Sequence, residues 1–235
     1  MNLILLSEDD FFGQNCAQLQ GRRMQHVMNV HRAKVGDQLS VGLLNGPIGK
    51  GAVTRLTPDA ITLELHLDQQ PPVPLPATLI LALPRPKVLK RVLIAATSMG
   101  VKRIYLLNSF RVEKSFWKSP LLTKERIDEF LTLGLEQAKD TAMPEVQLRP
   151  LFKPFVEDEL SAIIKDSLAL VAHPAAQHPC PRDTKMHVTL AIGPEGGFIA
   201  YEIEKLISIG FSPISLGKRP LRVETVVPAL LSKLF

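Results

Sequence analysis

Two glycine-marked stretches near the C-terminus decide the fold of this chain: IGPEGGF at residues 192–198 and LGKRPLRVET at residues 216–225. A short apolar run typical of a buried strand precedes each stretch, and a pattern with helical spacing follows it; the runs are residues 187–192 and 211–216, and the helical patterns are residues 200–209 and 226–235. Loops that follow parallel strands share one edge of a sheet, where α/β proteins bind ligands. Because glycine lacks a Cβ, a flat ligand can approach such loops closely. The pattern therefore predicts a ligand site built from both loops.

The second stretch differs from an ordinary turn because Arg219, Arg222 and Glu224 bring three charges into it. A turn needs only residues such as Gly, Asn or Pro, so the charges indicate contact with a ligand. A solvated cluster of charges is the alternative interpretation. Neither stretch has the spacing of a dinucleotide-binding fingerprint or of a phosphate-binding P-loop, so the spacing by itself names no ligand.

Taken together, IGPEGG and LGxRxLRxET resemble the cofactor loops of the SPOUT methyltransferases, knotted enzymes that modify RNA with S-adenosyl-L-methionine. Within that superfamily the chain is most similar to the enzymes that methylate N3 of a uridine in small-subunit (16S) ribosomal RNA. The resemblance implies S-adenosyl-L-methionine as cofactor, ribosomal RNA as partner, a C-terminal trefoil knot and a homodimer that pairs through the knot region. In such a knot the chain from Arg222 onward threads past residues 192–197.

The resemblance also implies roles for particular residues. The two loops, with a third at residues 168–173, are expected to bind the cofactor through His173, Ile192, Gly193, Pro194, Glu195, Gly196, Gly197, Leu216, Gly217, Leu221, Arg222 and Thr225. Arg222 is the catalytic candidate, because an arginine beside a uracil carbonyl stabilises the anion that forms when N3 loses its proton. Glu224 is a candidate general base. The alternatives are that Glu224 only pairs with Arg222 and that bulk solvent takes the proton.

Several positions depart from the family pattern. Val223 and Val226 stand where Thr and Ala are usual, Ser-Met-Gly at 98–100 replaces Glu-Leu-Gly, and Ala-Lys-Asp at 138–140 replaces a small residue, Gly and Arg. Two alternative functions therefore stay open. One is a ribosome-associated RNA-binding protein that transfers no methyl group, and the other is a SPOUT enzyme that acts on a ribose 2′-hydroxyl or on transfer RNA.

Composition and charge fit this expectation. The chain has 235 residues and a net charge of +5, a balance that suits a polyanionic partner. No apolar run approaches the ~20 residues of a membrane helix, and the start has no basic region typical of a signal peptide. Two cysteines are too few for a disulfide framework, so we expect a cytoplasmic protein. His173, His178 and Cys180 lie close in sequence but have no carboxylate partner, and no metal is expected there.

Residues 1–70 form the first predicted domain. Leucines and isoleucines alternate with polar residues at 61–67, and turn signals separate short extended runs at 39–43 and 52–56, which together predict a small β-barrel. The resemblance implies a PUA-like RNA-binding barrel at this position. The basic residues that we expect to contact RNA there are Arg22, Arg23, Arg32 and Lys34, with scattered surface charge as the alternative.

Four prolines at residues 71–76 mark the boundary with the second domain, residues 71–235. Strand patterns then alternate with helical ones, which predicts an α/β fold with a parallel sheet. The predicted strands are residues 78–83, 101–107 and 168–172 besides the two before the glycine loops, and the other predicted helices start at Pro86, Thr123 and Phe155. Arg85, Lys87 and Arg219 are predicted RNA contacts at the ligand edge. Trp117 is either a stacking platform for a base or a loop anchor.

Overall fold

A computed structural model describes residues 2–235, and these divide into two compact units. One unit contains Met1–Val73 together with Thr132–Met143, and the other contains Pro74–Leu131 together with Pro144–Phe235. The fold is α/β, because the first unit is built on a mixed sheet and the second on a parallel sheet flanked by helices. None of the helices within the described residues is both long and apolar enough to cross a membrane.

The first unit contains a six-stranded sheet in the order β1-β4-β5-β6-β3-β2. Its strands are β1 (Ile4–Leu6), β2 (Phe11–Gly13), β3 (Cys16–Leu19), β4 (Gln38–Leu43), β5 (Ile48–Leu56) and β6 (Ile61–Gln69). Only β1 and β4 are parallel, and the remaining pairs are antiparallel. The pairing of β5 with β6 contains two register shifts, and such bulges bend a sheet.

The alternating pattern at 61–67 places its apolar side chains inward, because Ile61, Leu63 and Leu65 are buried in the core of this unit. The predicted strands at 39–43, 52–56 and 61–67 are confirmed as β4, β5 and β6. The first three strands were not individually predicted. They have only three or four residues each, and β1 is held by parallel pairing with β4, a contact between distant parts of the chain that no local pattern reveals.

The second unit contains a six-stranded sheet in which every pair is parallel, in the order β12-β10-β11-β7-β8-β9. Its strands are β7 (Ala77–Ala82), β8 (Arg103–Leu107), β9 (Glu145–Arg149), β10 (Leu168–Ala172), β11 (Val188–Ile192) and β12 (Ser212–Ile214). All residues of β7 and β11 are buried, which explains why both strands are apolar apart from Thr78 and Thr189. The chain leaves β7 toward β8 and later places β11 on the other side of β7. At such a reversal of direction, ligands bind beyond the carboxyl ends of the strands.

The helices are α1 (Gly21–His26) in the first unit, then α2 (Pro86–Ser98), α3 (Lys124–Ala138), α4 (Phe152–Pro154), α5 (Leu160–Ile163), α6 (Ala200–Ser208) and α7 (Val223–Leu234). A π-helical turn continues α1 over Val27–His31, and another joins α4 to α5 over Phe155–Glu159. The predicted helices that start at Pro86, Thr123 and Ala200 are confirmed, whereas the one predicted from Phe155 begins at Phe152 and is π-helical over Phe155–Glu159. Strand β9 was not predicted, because its residues alternate only weakly and are nowhere fully buried.

Helix α7 begins at Val223, three residues before the predicted start, because Arg222 has the extended backbone of an N-cap and Val223 is already buried. The helix packs against α2. Its apolar residues Val227, Leu230, Leu231 and Leu234 are fully buried in this packing. The role of these four side chains is therefore core packing.

Candidate active site

A cavity of about 730 Å³ lies in the second unit at the carboxyl ends of its strands. Three loops form most of its wall, those that follow β10, β11 and β12. Residues 172–175, 192–198, 214–217 and 219–224 contribute to the lining, and α2 and α7 further contribute Val88, Val226 and Leu230. The two glycine-marked stretches therefore meet around one hollow, as the sequence predicts.

The loop after β11 is a tight turn in which the amide of Gly197 donates to the carbonyl of Pro194 at 2.7 Å. Gly197 has a φ of +71°, a conformation that side chains other than glycine rarely adopt. A Cβ on Gly193 would lie 2.8 Å from the backbone nitrogen of Phe198, so this position tolerates no side chain without movement of the backbone. The loop thus presents bare backbone to the cavity because its glycines are required by its geometry.

Neighbouring loops hold this turn in place. The backbone N–H of Arg85 donates to Oε1 of Glu195 at 3.0 Å, and the guanidinium of Arg111 donates to the carbonyl of Gly196. Glu202, only 2% exposed, accepts from the backbone N–H groups of Ile199 at 2.9 Å and Phe110 at 2.7 Å. A buried carboxylate that receives two N–H donors connects the loop after β8 to the loop after β11.

Sequence reasoning missed the structural roles of Arg111 and Glu202. The available signal for Glu202 is its position three residues after Ile199, which is the N-cap of α6, since a glutamate at this spacing returns to the N-cap amide. No comparable local signal exists for Arg111, because its partner Gly196 is distant in sequence.

The loop after β12 has a different character. Gly217 has a φ of +118°, and Arg219, Leu221 and Arg222 are exposed on the cavity wall. Within residues 2–235, Lys218, Arg219 and Leu221 make no hydrogen bond, and Arg222 makes none through its side chain. Arg219 and Arg222 thus face the cavity, and their side chains form no hydrogen bond or ion pair within the described residues.

Glu224 lies in the first turn of α7 and lines the cavity, with 18% of its side chain exposed. Its carboxylate lies 3.5 Å from the guanidinium of Arg91 on α2. The alternative that Glu224 pairs with Arg222 is therefore not observed. The earlier start of α7 explains this, since it fixes Glu224 on the side of the helix that faces α2.

Of the other predicted cofactor residues, His173 lines the cavity, and its backbone N–H donates to the carbonyl of Ile214 at 2.9 Å. Thr225 is exposed and does not line the cavity, because it lies on the outer side of the first turn of α7. Two predicted RNA contacts, Arg85 and Arg219, line the same cavity as the cofactor residues, whereas Lys87 is exposed outside it.

In the first unit, two of the four predicted RNA contacts form internal ion pairs. Arg22 binds Glu136 through both carboxylate oxygens at 2.9 and 3.0 Å, and Arg23 binds Asp10 at 2.6 and 2.7 Å. Burial raises the pKa of Asp10, but the hydrogen bonds from Arg23 and Ser7 outweigh it and bring that pKa below its usual value. Arg32 and Lys34 are exposed. Of the four predicted RNA contacts in this unit, Arg32 and Lys34 are thus the two whose side chains form no ion pair within the described residues.

Trp117 is half-buried, and its indole N–H donates to Oδ1 of Asn108 at 2.9 Å. Of the two roles left open by the sequence, this contact supports a loop anchor. Among residues 2–235 there is no group of three or more His, Cys, Asp or Glu side chains that could hold a metal ion.

The cavity fits a nucleoside-containing cofactor. Its volume falls within the roughly 300–1,000 Å³ of small-molecule sites. Its lining combines the apolar side chains of Ile192, Leu216 and Leu221 with the open backbone of glycine loops, which suits the faces and edges of a flat base.

A parallel sheet with glycine loops that enclose such a cavity defines an α/β protein that binds a nucleotide-like cofactor. More particularly, the chain belongs to the RNA methyltransferase domain family, whose model matches residues 71–234. The match covers the whole cavity.

Named relatives agree with this family. The ribosomal RNA small subunit methyltransferase E of Treponema pallidum is 26% identical over 97% of this chain and 88% of its own length. Two solved structures share the fold. The ribosomal RNA small subunit methyltransferase E of Neisseria gonorrhoeae, bound to S-adenosyl methionine, is 22% identical with a TM-score of 0.74 over 99% of this chain and 95% of its own. A Legionella pneumophila protein with bound cofactor SAM is 24% identical with a TM-score of 0.72 over 98% and 95%.

Proposed function

We propose that this protein uses S-adenosyl-L-methionine to methylate N3 of a specific uridine in small-subunit (16S) ribosomal RNA. The observation that carries the proposal is the single cavity whose wall contains both glycine loops and the side chains of Arg85, Arg219 and Arg222. The adenine of the cofactor needs an apolar cavity with backbone groups at its edge. The polyanionic RNA needs positive side chains that are not paired within the protein. This cavity wall offers both. Membership of the RNA methyltransferase domain family supports the same reaction class.

For the cofactor, the proposed contacts are His173, residues 192–197, Leu216, Gly217, Leu221 and Arg222. When bound, S-adenosyl-L-methionine supplies an electrophilic methyl group. Ile192 and Leu221 offer apolar surface to the adenine, and the amides and carbonyls of the glycine loops offer it hydrogen-bond partners. Thr225 stays a proposed contact, although the residue does not line the cavity.

For the uridine, Arg222 is the proposed catalytic residue. N3 of uracil must lose its proton, and the resulting charge spreads onto the carbonyl oxygens of the ring. The guanidinium of Arg222 forms no hydrogen bond or ion pair within residues 2–235, so it is available to stabilise this charge. Glu224, which lines the cavity close to Arg222 in sequence, is the proposed proton acceptor. Direct displacement then needs only correct positioning of N3 toward the methyl group.

N3 lies on the pairing edge of uracil, so the target base must be unpaired or extruded when it reacts. We propose that Arg219, Arg85 and Lys87 contact phosphates near this base. In the first unit, Arg32 and Lys34 are the proposed backbone contacts, and Arg22 contributes through the half of its side chain that stays exposed. Arg23 supports this surface indirectly, because its hydrogen bonds to Asp10 hold the start of α1 in place.

We further propose that residues 1–70 are a PUA-like RNA-binding barrel and that residues 71–235 are a SPOUT domain whose C-terminal segment forms a trefoil knot. The proximity of residues 192–197 to Arg222 around one cavity supports the knot. We propose that the protein acts in the cytoplasm as a homodimer that pairs through the knot region. Because the apolar stripe of α7 is buried, other residues of that region must supply the dimer contacts.

The test is a methylation assay with small-subunit particles and with naked 16S RNA as parallel substrates. We expect a single N3-methyluridine in the RNA, identified by mass spectrometry of its nucleosides. A product that carries only a ribose 2′-O-methyl group, or methylation of transfer RNA alone, would replace the proposed target. Cofactor binding without any methyl transfer to these RNAs would favour an RNA-binding protein that lacks the activity.

A further inference from the structure

An exposed aromatic side chain lies at the tip of the turn after β8. The amide of Val112 donates to the carbonyl of Ser109 at 3.0 Å, which places Phe110 and Arg111 at the two central positions. Ser109 and Val112 are buried, whereas Phe110 is 78% exposed, more than any other aromatic side chain among residues 2–235. Polar or small residues dominate turn tips. A phenyl ring at this position therefore calls for a partner.

The backbone beneath this ring is fixed. The N–H of Phe110 donates to the buried carboxylate of Glu202 at 2.7 Å, and the neighbouring Arg111 donates to the carbonyl of Gly196. The first contact joins the turn to α6, and the second joins it to the loop after β11, which forms part of the cavity wall. A ring on such a support loses little conformational freedom when it binds a partner.

The surroundings indicate what that partner is. Arg111 lines the cavity together with Arg85, Arg219 and Arg222, so positive charge lies beside the ring. Sites for unpaired RNA combine cationic side chains that track phosphates with aromatic side chains that stack on bases. Phe110 has the stacking surface that Trp117 lacks, because the indole of Trp117 is half-buried against Asn108.

We propose that Phe110 is a stacking platform for an unpaired base of the RNA substrate, next to the nucleotide whose base enters the cavity. Phe110 is thus a substrate-positioning residue, and Glu202 fixes its backbone. The identity of the RNA rests on the proposed function, but the stacking itself does not.

The test compares Phe110→Ala with Phe110→Trp and with Leu151→Ala, a truncation of an exposed apolar side chain in the same unit that does not line the cavity. Removal of one base-stacking contact is expected to raise KM for small-subunit particles roughly 5- to 150-fold. The kcat, the affinity for S-adenosyl-L-methionine and the oligomeric state should stay unchanged. Phe110→Trp should restore KM, and Leu151→Ala should match the wild type.

A second readout needs no methyl transfer. Fluorescence of 2-aminopurine within a short uridine-rich RNA should be quenched by the wild type and by Phe110→Trp but not by Phe110→Ala. Unchanged KM and quenching in Phe110→Ala would overturn the inference and leave the proposed function intact. A change in oligomeric state would overturn it by assigning Phe110 to a subunit interface. Quenching that depends on Phe110 without any methyl transfer by the wild type would support the inference and refute the proposed function.

Discussion

The two loops that face each other across the cavity are built in opposite ways. The loop at residues 192–198 is held by contacts with Arg85, Arg111 and Glu202, and its own turn is closed by a hydrogen bond. Within the described residues, Lys218, Arg219 and Leu221 on the opposite loop make no hydrogen bond. One wall of the cavity is therefore preorganised, and the other carries exposed charge on a lightly tethered backbone.

The difference separates the two tasks that the proposed reaction requires. A small cofactor needs a binding surface of fixed shape. The loop at residues 192–198 (the held loop) supplies it through its glycines and its hydrogen bonds to neighbouring residues. A large RNA needs positive side chains that are not paired within the protein. The loop after β12 (the open loop) supplies them as Arg219 and Arg222. We infer that substitutions in the held loop affect cofactor affinity first, whereas those in the open loop affect turnover and RNA binding first.

The largest effect is expected for Arg222→Ala in the open loop. Loss of one group that stabilises charge in the transition state lowers kcat by roughly 10²- to 10³-fold. The melting temperature should not change, because this side chain forms no hydrogen bond or ion pair within the described residues. Single-turnover rates at saturating cofactor check the prediction, with Lys218→Ala on the same loop as control. A wild-type rate in Arg222→Ala would remove Arg222 from the mechanism.

Gly193→Ala should have the next largest effect and tests the held loop. The added Cβ would lie 2.8 Å from the nitrogen of Phe198, and the hydrogen bonds that hold this loop leave its backbone little room to move. Overpacking of this kind costs about 1–3 kcal/mol, so we expect roughly 5- to 150-fold weaker binding of S-adenosyl-L-methionine by calorimetry.

Gly217→Ala is the matched comparison, since a Cβ there meets nothing within 4 Å although its φ of +118° suits glycine. The open loop can relax around this change, so its effect on cofactor affinity should be the smaller of the two. Weaker cofactor binding by Gly217→Ala than by Gly193→Ala would reverse the assignment of the two loops.

Glu202→Gln tests the hydrogen bonds by which Glu202 connects Phe110 and Ile199. The carboxylate accepts two backbone N–H groups, and an amide would direct its own NH₂ toward one of them. A buried donor left without an acceptor costs about 1–3 kcal/mol of the free energy of unfolding, which urea denaturation measures. Glu204→Gln, on the exposed side of the same helix, is the control. Equal stability of the two variants would show that Glu202 does not hold the loops together.

Arg91→Ala should have the smallest effect. Arg91 is 66% exposed and lies 3.5 Å from Glu224, and exposed ion pairs contribute at most about 1 kcal/mol to stability. Thermal unfolding at low and at high salt measures this contribution. Turnover should be nearly unchanged. A loss of turnover as large as that of Arg222→Ala would make the charge of Glu224, rather than that of Arg222, the one that governs the reaction.

The main elements of the second unit could be predicted from local pattern, because buried parallel strands are continuous apolar runs and glycines mark the loops that follow them. The cavity follows from the same pattern, and the cavity wall contains every predicted cofactor residue except Thr225. Thr225 lies outside the cavity wall because α7 already begins at Val223. That start could not be predicted, since the N-cap is Arg222, whose side chain gives no capping signal.

Contacts between distant residues could not be predicted in this way. Tertiary packing alone brings together the partners of the pairs Arg91–Glu224, Arg22–Glu136 and Arg111–Gly196, which are distant in sequence. A basic residue in a sequence pattern has the same appearance whether its charge is free or paired. For this reason the sequence predicted Arg22 and Arg23 as RNA contacts and gave no sign of their internal partners.

The central claim is that the two loops enclose the site of the methyl donor. Calorimetric titration of the wild type and of Gly196→Trp with S-adenosyl-L-methionine tests it most directly, because an indole at Gly196 would occupy the cavity wall beside Arg111. We predict saturable one-site binding to the wild type and none to the variant. Absence of binding to the wild type, or equal binding to both proteins, would contradict the account.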